Sequence, residues 1–139
     1  MIGITEKPIS PEKVIDKVRN DSCGCIASYV GLIRNQSHSK PVLSVEYVDS
    51  DGIAAQRLQQ IADEVKRRWQ VEDVAISHRV GRLKVGDINL VVAVGAAHRR
   101  EGFAACRYVI DQFKKRLPTT KIEMYVDSGK SVDQATSDT

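Results

Sequence analysis

The segment from residue 87 to residue 117 constrains the fold more than any other part of the chain. Its first part, DINLVVAVGAAH (87–98), is almost entirely apolar, which is typical of a strand in the middle of a sheet. Its second part repeats apolar residues at spacings of three and four, the period of an amphipathic helix. The residues of this stripe are Phe103, Cys106, Ile110, Phe113 and Leu117. A central strand followed by such a helix predicts helices packed on a sheet.

The rest of the chain adds strands and helices in the order β-α-β-β-α-β-β-α-β. Ile2 and Ile4 alternate with polar neighbours as in a short strand, and Ser10 followed by Pro11 is a typical helix start. Further strands are predicted at residues 23–34, 42–49, 73–81 and 121–126, and a further helix at residues 52–69. We expect the strands at 23–34 and 42–49 to pair as a hairpin across the polar loop NQSHSK.

These elements predict an α+β fold with a mixed sheet and about three helices. The length of 139 residues suits one domain, which we place at residues 1–126. Residues 127–139 show no apolar periodicity and are expected to form a flexible C-terminal tail. No apolar run approaches the roughly 20 residues that span a bilayer, and the N-terminus lacks the pattern of a signal peptide. We therefore expect a cytoplasmic protein.

The cysteine pattern gives no sign of a metal or redox site. The three thiols are Cys23, Cys25 and Cys106, and the first two form C-G-C instead of C-x-x-C. We expect all three to be small buried apolar groups, and we predict no metal and no cofactor. A catalytic cysteine is the less favoured alternative, since its base would have to be one of His38, His78 and His98.

Three basic or titratable residues, His98, Arg99 and Arg100, stand where the last helix is predicted to begin. The start of a helix carries partial positive charge and normally attracts acidic side chains. Residues 98–121 hold seven Lys/Arg and two Asp/Glu, a local balance of +5 in a chain whose total charge is +3. A bound anion, held by guanidinium and backbone N–H groups, is the explanation that we favour.

Lys114 and Lys121 lie on either side of Pro118, which ends this helix. Lys114 falls roughly 70° from the centre of the apolar stripe, where a lysine can direct its ammonium group into a cleft. Lysines in a last helical turn also favour the helix dipole, and this simpler alternative stays open. The stretch 101–114 is about 20 Å long. A small ligand therefore reaches both ends only in an elongated site or with help from another chain or loop.

Two other candidates are weaker when taken alone. Arg34 stands where a strand gives way to a polar loop, a position at which most arginines are solvated. His78 alternates with Ile76 within a predicted strand, so we expect a structural role for it.

Taken together, four segments resemble the catalytic (large) subunit of molybdopterin synthase. They are GLIRN (31–35), SHRVGRLKVGD (77–87), AHR (97–99) and FKKRLPTTKIE (113–123). Their order, and the step of seven residues between two lysines across a proline, carry the resemblance, which extends from about residue 23 to residue 123.

The resemblance implies an enzyme that converts cyclic pyranopterin monophosphate into molybdopterin, the dithiolene pterin of the molybdenum cofactor. The sulfur would come from a thiocarboxylate at the Gly-Gly terminus of a small ubiquitin-like subunit. The family forms a homodimer of the large subunit within a heterotetramer, and its fold is an α/β hammerhead. The resemblance implies no resident metal, no membrane and no nucleic acid.

The resemblance also implies which residues form the site. Lys114 and Lys121 match the catalytic lysines, and the substrate pocket matches Leu32, Ile33, Arg34, His98, Arg99, Ile122 and Glu123. In the family both copies of the dimer contribute to the pocket, and the arginine matching Arg34 is expected from the neighbour. We expect Lys114 to transfer a proton or to act as a transient nucleophile, while Lys121 holds the thiocarboxylate or the phosphate. The exchanged roles fit the sequence equally well.

The chain departs from the family pattern at three places. Thr120 replaces a usual aromatic residue, Ser131 stands near a usual Trp, and EYVDSDG only partly matches the expected EY-x-x-Y. The competing hypothesis is a non-enzymatic module that binds phosphate-containing ligands or RNA through the basic segment. Against RNA, the chain has only seven aromatic residues, and none stands in an RNP-like context. A purely structural dimer subunit leaves the basic segment unexplained.

Overall fold

The computed structural model describes residues 1–127 and 131–136, with three helices and nine strands among them. The helices are α1 (Pro11–Asp16), α2 (Ala54–Arg68) and α3 (Arg99–Lys115). The strands are β1 (Ile2–Thr5), β2 (Cys25–Leu32), β3 (Gln36–Ser37), β4 (Lys40–Val48), β5 (Asp73–Arg79), β6 (Gly81–Lys84), β7 (Ile88–Ala96), β8 (Thr120–Asp127) and β9 (Ser131–Thr136). The predicted α+β class with about three helices is confirmed.

The first sheet has the order β1-β5-β7-β2 and is mixed, because β1 runs parallel to β5 while the other pairs are antiparallel. The apolar strand β7 lies inside this sheet, as its composition predicts. Side chains such as Val92 and Val94 point to the face covered by α2 and α3. Val91 and Ala93 alternate with them and pack against α1 on the other face.

The second sheet has the order β3-β4-β8-β9, with β6 also paired to β4. Its strands β4 and β8 are antiparallel and place Tyr47 opposite Lys121. A separate core of buried residues, which includes Val45, Leu83 and Tyr125, fills one side of this sheet. Leu117, just after α3, packs against both this core and the core of the first sheet. The end of α3 therefore lies where the two sheets meet.

The predicted hairpin between the strands at 23–34 and 42–49 is wrong. β2 pairs with β7 along its whole length, and β4 pairs with β6 and β8 instead. The loop NQSHSK forms a small hairpin of its own, in which Ser37 pairs with Lys40. The two residues between them, His38 and Ser39, have φ angles of 52° and 61°, as tight hairpin turns require. This turn connects β3 to β4, and β2 pairs with β7 in the first sheet instead.

Besides the short strand β3, two more strands were not expected from the sequence. β6 begins at Gly81 and ends before Gly86, and the φ angles of these two glycines are 94° and 90°. β9 lies in the predicted tail and pairs antiparallel with β8. A strand that pairs at a sheet edge through its backbone needs no apolar period, which explains why the pattern of the tail did not predict it. The flexibility of residues 127–139 stays a prediction.

The apolar stripe of α3 is rotated relative to the prediction. Its fully buried residues are Gly102, Ala105, Cys106, Val109 and Phe113, whereas Phe103 is 66% exposed. Small residues decide this rotation, because a Cβ atom on Gly102 would lie 3.2 Å from the Sγ atom of Cys25. The helix can approach β2 closely only on the side where Gly102 lies. This side therefore faces the sheet, and Phe103 faces the solvent.

The thiols are free, but only one of them is fully buried. Cys106 lies in the core, where burial raises its pKa to about 11, while Cys23 and Cys25 are half-buried. The predicted burial is thus confirmed for Cys106 and wrong for the other two. Among the residues described, no group of three or more His, Cys, Asp or Glu side chains is placed to hold a metal ion. None of the helices in this part of the chain has the length and apolarity to cross a membrane.

Candidate active site

Lys114 and Lys121 lie on the walls of the same two cavities. Lys114 belongs to the last turn of α3 and Lys121 to the start of β8, and the short connection between these elements brings them together. The predicted chain reversal through LPTT is thus confirmed. Leu117, from the connection itself, also lines both cavities.

The Arg34 cavity has a volume of about 430 Å³ and mixed walls. Its apolar and aromatic residues include Tyr29, Leu32, Ile33, Tyr47, Leu90 and Phe113. Its polar residues are Arg34, Gln36, Ser37, Asn89, Lys114, Lys121 and Glu123. Apolar surface with a few converging polar groups is the usual composition of a small-molecule site.

The Arg57 cavity has a volume of about 500 Å³ and a strongly basic lining. Its residues are Arg57, Gln60 and Ile61 from α2, and Lys114, Lys115, Arg116, Leu117, Thr119, Thr120 and Lys121 from the end of α3 and the start of β8. Lys114 and Lys121 therefore lie between a cavity with polar and apolar walls and a cavity with basic walls.

His78 fixes the connection that carries both lysines. Its Nδ1 atom lies 2.9 Å from the carbonyl oxygen of Asn89, which can only accept, so Nδ1 donates. Its Nε2 atom then accepts a hydrogen bond from the Thr119 hydroxyl, also at 2.9 Å. The ring meets Phe113, the neighbour of Lys114, edge-on at a centroid distance of 4.9 Å. The structural role predicted for His78 is confirmed.

The charge state of His78 agrees with this geometry. The side chain is completely buried, and this burial lowers its pKa to about 4. A hydrogen bond to the Asn89 carbonyl and the charge of Asp49 act in the opposite direction but are the smaller effects. The imidazole is therefore neutral near pH 7, and we assign no acid–base role in catalysis to it.

Lys121 is held by a buried carboxylate. Its Nζ atom lies 3.3 Å from Oε1 of Glu123, whose side chain is 1% exposed, and Lys121 itself is 15% exposed. The Tyr125 hydroxyl donates a hydrogen bond to the other carboxylate oxygen. Burial acts to raise the pKa of Glu123, but hydrogen bonds from Ser37 and Tyr125 and the charge of Lys121 together lower it. Glu123 is thus a fixed anion that orients Lys121.

The end of α3 is tied to α2 by a second carboxylate. Both guanidinium nitrogens of Arg116 donate to Glu64, at 2.7 and 3.0 Å, and Tyr108 donates to the same group. The hydrogen bonds from Arg116 and Tyr108 lower the pKa of Glu64. Glu64 therefore neutralises Arg116 and anchors the helix end next to Lys114 and Lys115.

The structure brings together six of the nine residues in the predicted site. Lys114, Lys121, Leu32, Ile33, Arg34 and Glu123 all line the Arg34 cavity. Ile122 does not, because successive side chains of a strand point to opposite faces and Lys121 and Glu123 take the cavity side. His98 and Arg99 are exposed at the other end of α3, about 22 Å from Lys114 along the helix.

Arg34 belongs to the cavity of its own chain. It was expected to come from a neighbouring copy, but it lines the same cavity as both lysines within one chain. The residues that one chain does not bring to the lysines are instead His98 and Arg99.

The sequence did not single out Arg57, Gln60, Asn89 or a cavity role for Tyr47. No local signal pointed to Arg57. It closes the first turn of α2, where the Asp49 carboxylate already accepts a hydrogen bond from the Ala54 amide and offsets the positive end of the helix.

The fold and the lysine-lined cavities define a small α+β protein with a basic cleft at the end of α3. The family model described as "MoaE protein" matches residues 4–116, so the chain belongs to the MoaE family. Lys114 lies inside the matched range and Lys121 lies just beyond it.

Curated relatives and a solved structure agree with this assignment. A "Molybdopterin synthase catalytic subunit" of Nostoc sp. is 40% identical over 130 residues, which cover 93% of this chain and 79% of the relative. The protein of the same name from Homo sapiens is 32% identical, with coverage of 92% and 68%. The crystal structure of molybdopterin synthase from Staphylococcus aureus matches with a TM-score of 0.84 at 27% identity, covering 94% of this chain and 95% of that chain.

Proposed function

We propose that this chain is the catalytic subunit of a molybdopterin synthase. It transfers sulfur from the C-terminal thiocarboxylate of a small ubiquitin-like subunit to cyclic pyranopterin monophosphate and so forms the dithiolene. The observation that carries the proposal is the pair of Lys114 and Lys121, which share two cavities in a chain whose relatives are named molybdopterin synthase catalytic subunits.

The mixed walls of the Arg34 cavity suit the pterin ring. A flat heterocycle packs on aromatic and aliphatic side chains such as Tyr29 and Phe113, while Asn89 and Ser37 offer hydrogen bonds to its edge. The Oδ1 atom of Asn89 is buried without a hydrogen-bond partner among the described residues. This acceptor marks the polar end of the cavity floor, because a buried acceptor is costly to leave unpaired.

The two lysines have different surroundings, which supports different roles. Lys121 is held by Glu123 and is suited to keep an anion in place, since its position is fixed before the substrate arrives. Lys114 is exposed at the junction of both cavities and makes no ion pair within the described residues. It is the better candidate for proton transfer, or for transient attack on the carbonyl carbon once the sulfur is bonded to the pterin, a step that forms a carbon–nitrogen bond, breaks the carbon–sulfur bond and leaves the sulfur on the pterin.

A second copy of the chain completes the site in this proposal. His98 and Arg99 are solvent-exposed in one chain and lie too far from Lys114 to reach the same small ligand. A homodimer that places these residues of one copy near the lysines of the other removes the distance problem. Two small subunits then give a heterotetramer, and we expect the assembly to work in the cytoplasm.

The experiment that tests the function is reconstitution. The purified chain is mixed with a thiocarboxylated small subunit and cyclic pyranopterin monophosphate, and the dithiolene product is measured. Product formation supports the proposal. A folded protein that binds the small subunit but forms no product would point to Thr120 and the altered tail, and absence of both binding and product would contradict the proposal.

The alternative RNA-binding module finds no support in the fold. Among the described residues Phe103 is the exposed large aromatic side chain, and it lies on a helix instead of a sheet surface. RNA-binding sheets display aromatic residues on their strands for base stacking.

A further inference from the structure

A row of three side chains leads from the Arg34 cavity into the core of the second sheet. Lys121, Glu123 and Tyr125 stand at alternate positions of β8, so their side chains point to the same face of the strand. Lys121 and Glu123 line the cavity, whereas Tyr125 lines neither cavity. Tyr125 is 3% exposed and belongs to the buried core of this sheet. It therefore lies behind the cavity wall.

The two carboxylate oxygens of Glu123 have different partners. Oε1 lies 3.3 Å from the Nζ atom of Lys121, and Oε2 accepts a hydrogen bond from the Tyr125 hydroxyl. Glu123 is 1% exposed, so little water is present to replace either partner. Because one oxygen is held from the core, the other has a fixed position next to Lys121. A residue that does not reach the cavity thus sets the direction of the ammonium group.

The Tyr125 hydroxyl also helps to keep Glu123 ionised. Burial alone favours the neutral acid, and a neutral Glu123 would no longer attract the ammonium group of Lys121. Burial acts to raise the pKa of Glu123, but hydrogen bonds from Ser37 and Tyr125 and the charge of Lys121 together lower it. Ser37 lines the Arg34 cavity and is within reach of a ligand there. Tyr125 is therefore the donor that serves the carboxylate from inside the protein.

Packing alone does not explain a tyrosine at position 125. The core around it includes Val42, Val45 and Leu83, which are apolar, and phenylalanine would fill the same space without a polar group. A hydroxyl group removed from water needs a hydrogen-bond partner, and here the partner is a carboxylate in the wall of the site. The hydroxyl is thus placed to support Glu123.

We propose that Tyr125 is a positioning residue for sulfur transfer, which acts on Lys121 through the carboxylate of Glu123. This inference rests on the proposed function and adds a residue to its site. In the proposed reaction Lys121 keeps an anion in place, which requires an ammonium group that is charged and already directed at the anion. Without the Tyr125 hydroxyl, Glu123 is able to turn or to take up a proton, and Lys121 loses its fixed direction.

The first test is the rate of dithiolene formation by Tyr125→Phe in the reconstituted assembly. We expect a rate about 10-fold below that of the unchanged chain, the usual effect of losing one charge-assisted hydrogen bond. The loss should grow as the pH falls, because Glu123 without this hydrogen bond takes up a proton at a higher pH. Tyr125→Met, which fills the core with a flexible apolar chain, should show the same loss. A rate within about twofold of the unchanged chain, or a loss that is equal at every pH, overturns the proposal.

The matched control is Tyr108→Phe. The Tyr108 hydroxyl also donates to a carboxylate, that of Glu64, but Glu64 lines neither cavity and pairs with Arg116. Whatever its effect on the rate, this substitution should leave the pH dependence of the rate as it is in the unchanged chain. The same change of pH dependence in Tyr108→Phe and Tyr125→Phe would show a general effect of a lost hydroxyl group and would contradict the proposal.

A double-mutant cycle separates the proposed role from simple stabilisation of the core. Tyr125→Phe is repeated in the Glu123→Gln background, which has no carboxylate at this position. There it should change the rate by less than about twofold, because the group through which Tyr125 acts is gone. A 10-fold loss in both backgrounds would show that Tyr125 acts independently of Glu123, and the proposal would be wrong. Urea unfolding of each variant ensures that folded proteins are compared.

A titration that needs no turnover distinguishes the inference from the proposed function. Carbon-13 NMR of glutamate-labelled protein follows the carboxyl group of Glu123, whose signal is absent from Glu123→Gln. We expect the pKa of Glu123 to be higher in Tyr125→Phe than in the unchanged chain. A higher pKa in a chain that forms no product keeps the support of Lys121 by Tyr125 and removes the synthase. Product formation at equal rates, with an unchanged pKa of Glu123, keeps the synthase and removes the inference.

Discussion

At the scale of single residues, His78 shows how a buried polar side chain serves a site without touching the substrate. It holds Thr119, two positions before Lys121, and packs on Phe113, next to Lys114. It also meets Tyr47, which lies opposite Lys121 in the β4–β8 pair. The imidazole thus contacts the neighbours of both lysines and keeps their separation constant.

The lowered pKa of His78 predicts an acid-sensitive fold. The folded protein binds the imidazole proton only near pH 4, whereas the unfolded chain binds it near pH 6.5. Stability from the neutral ring is fully present above pH 6.5 and is lost as the pH falls towards 4, by up to about 3 kcal/mol. Urea unfolding at several pH values should show this loss in the unchanged chain and a smaller loss in His78→Gln. Parallel pH profiles of the two proteins would contradict the assignment.

The lysines were within reach of the sequence, and Arg57 was not. The resemblance of residues 113–123 identified Lys114 and Lys121 because their spacing across Pro118 is a local feature. Arg57 reaches the same place from a different helix, so no local spacing links it to them. The burial of Phe103 was predicted wrongly, since only the contact of Gly102 with β2 decides which side of α3 faces the sheet.

At the scale of elements, α2 and the end of α3 act as one unit. Glu64 accepts two hydrogen bonds from Arg116 and one from Tyr108, while Trp69 packs edge-on against Tyr108. These contacts fix the α3 terminus beside α2, and with it the opening of the Arg57 cavity.

Removal of this anchor should cost measurable stability. We expect Glu64→Ala to lower the free energy of unfolding by about 1 kcal/mol, a modest value because Arg116 is 44% exposed and solvent screens the pair. The control is Asp63→Ala, which removes an exposed acid that accepts a hydrogen bond from Gln59 in the same helix. It should change stability by less than about 0.5 kcal/mol. Equal effects of the two substitutions in urea unfolding would show that the anchor contributes nothing.

Element types followed from the sequence more readily than element partners. The 3.6-residue period of α2 and the apolar run of β7 predicted a helix and a central strand, because those signals are local. The pairing of β2 with β7 instead of β4 depends on contacts between distant segments. The loop at His38 and Ser39 was interpreted as a long connection, although it closes a short hairpin that belongs to β4.

At the scale of the whole molecule, the proposed dimer determines which copy of the chain supplies each residue of a site. Lys114, Lys121 and Arg34 line one cavity of one chain. Arg99 stands at the far end of α3 and is expected to serve the site of the partner copy.

Mixing two inactive variants tests this arrangement. Arg99→Ala and Lys114→Ala homodimers should both be inactive. In a mixed dimer one site combines the intact Lys114 of one copy with the intact Arg99 of the other. After random exchange of subunits about a quarter of the full activity should return, because half of the dimers are mixed and each has one complete site. If activity does not return although mixed dimers form, Arg99 does not act across the dimer.

The most direct test of the central claim is the rate of dithiolene formation by Lys114→Ala and Lys121→Ala in the reconstituted assembly. The matched control is Lys13→Ala, an exposed lysine on α1, on the opposite face of the first sheet from α3. We predict that each of the first two loses activity by about 100-fold or more, as is typical when a proton-transfer or charge-stabilising group is removed, while the control stays near the unchanged rate. Loss in Lys121→Ala but not in Lys114→Ala would remove the role assigned to Lys114. Full activity in both variants would contradict the account.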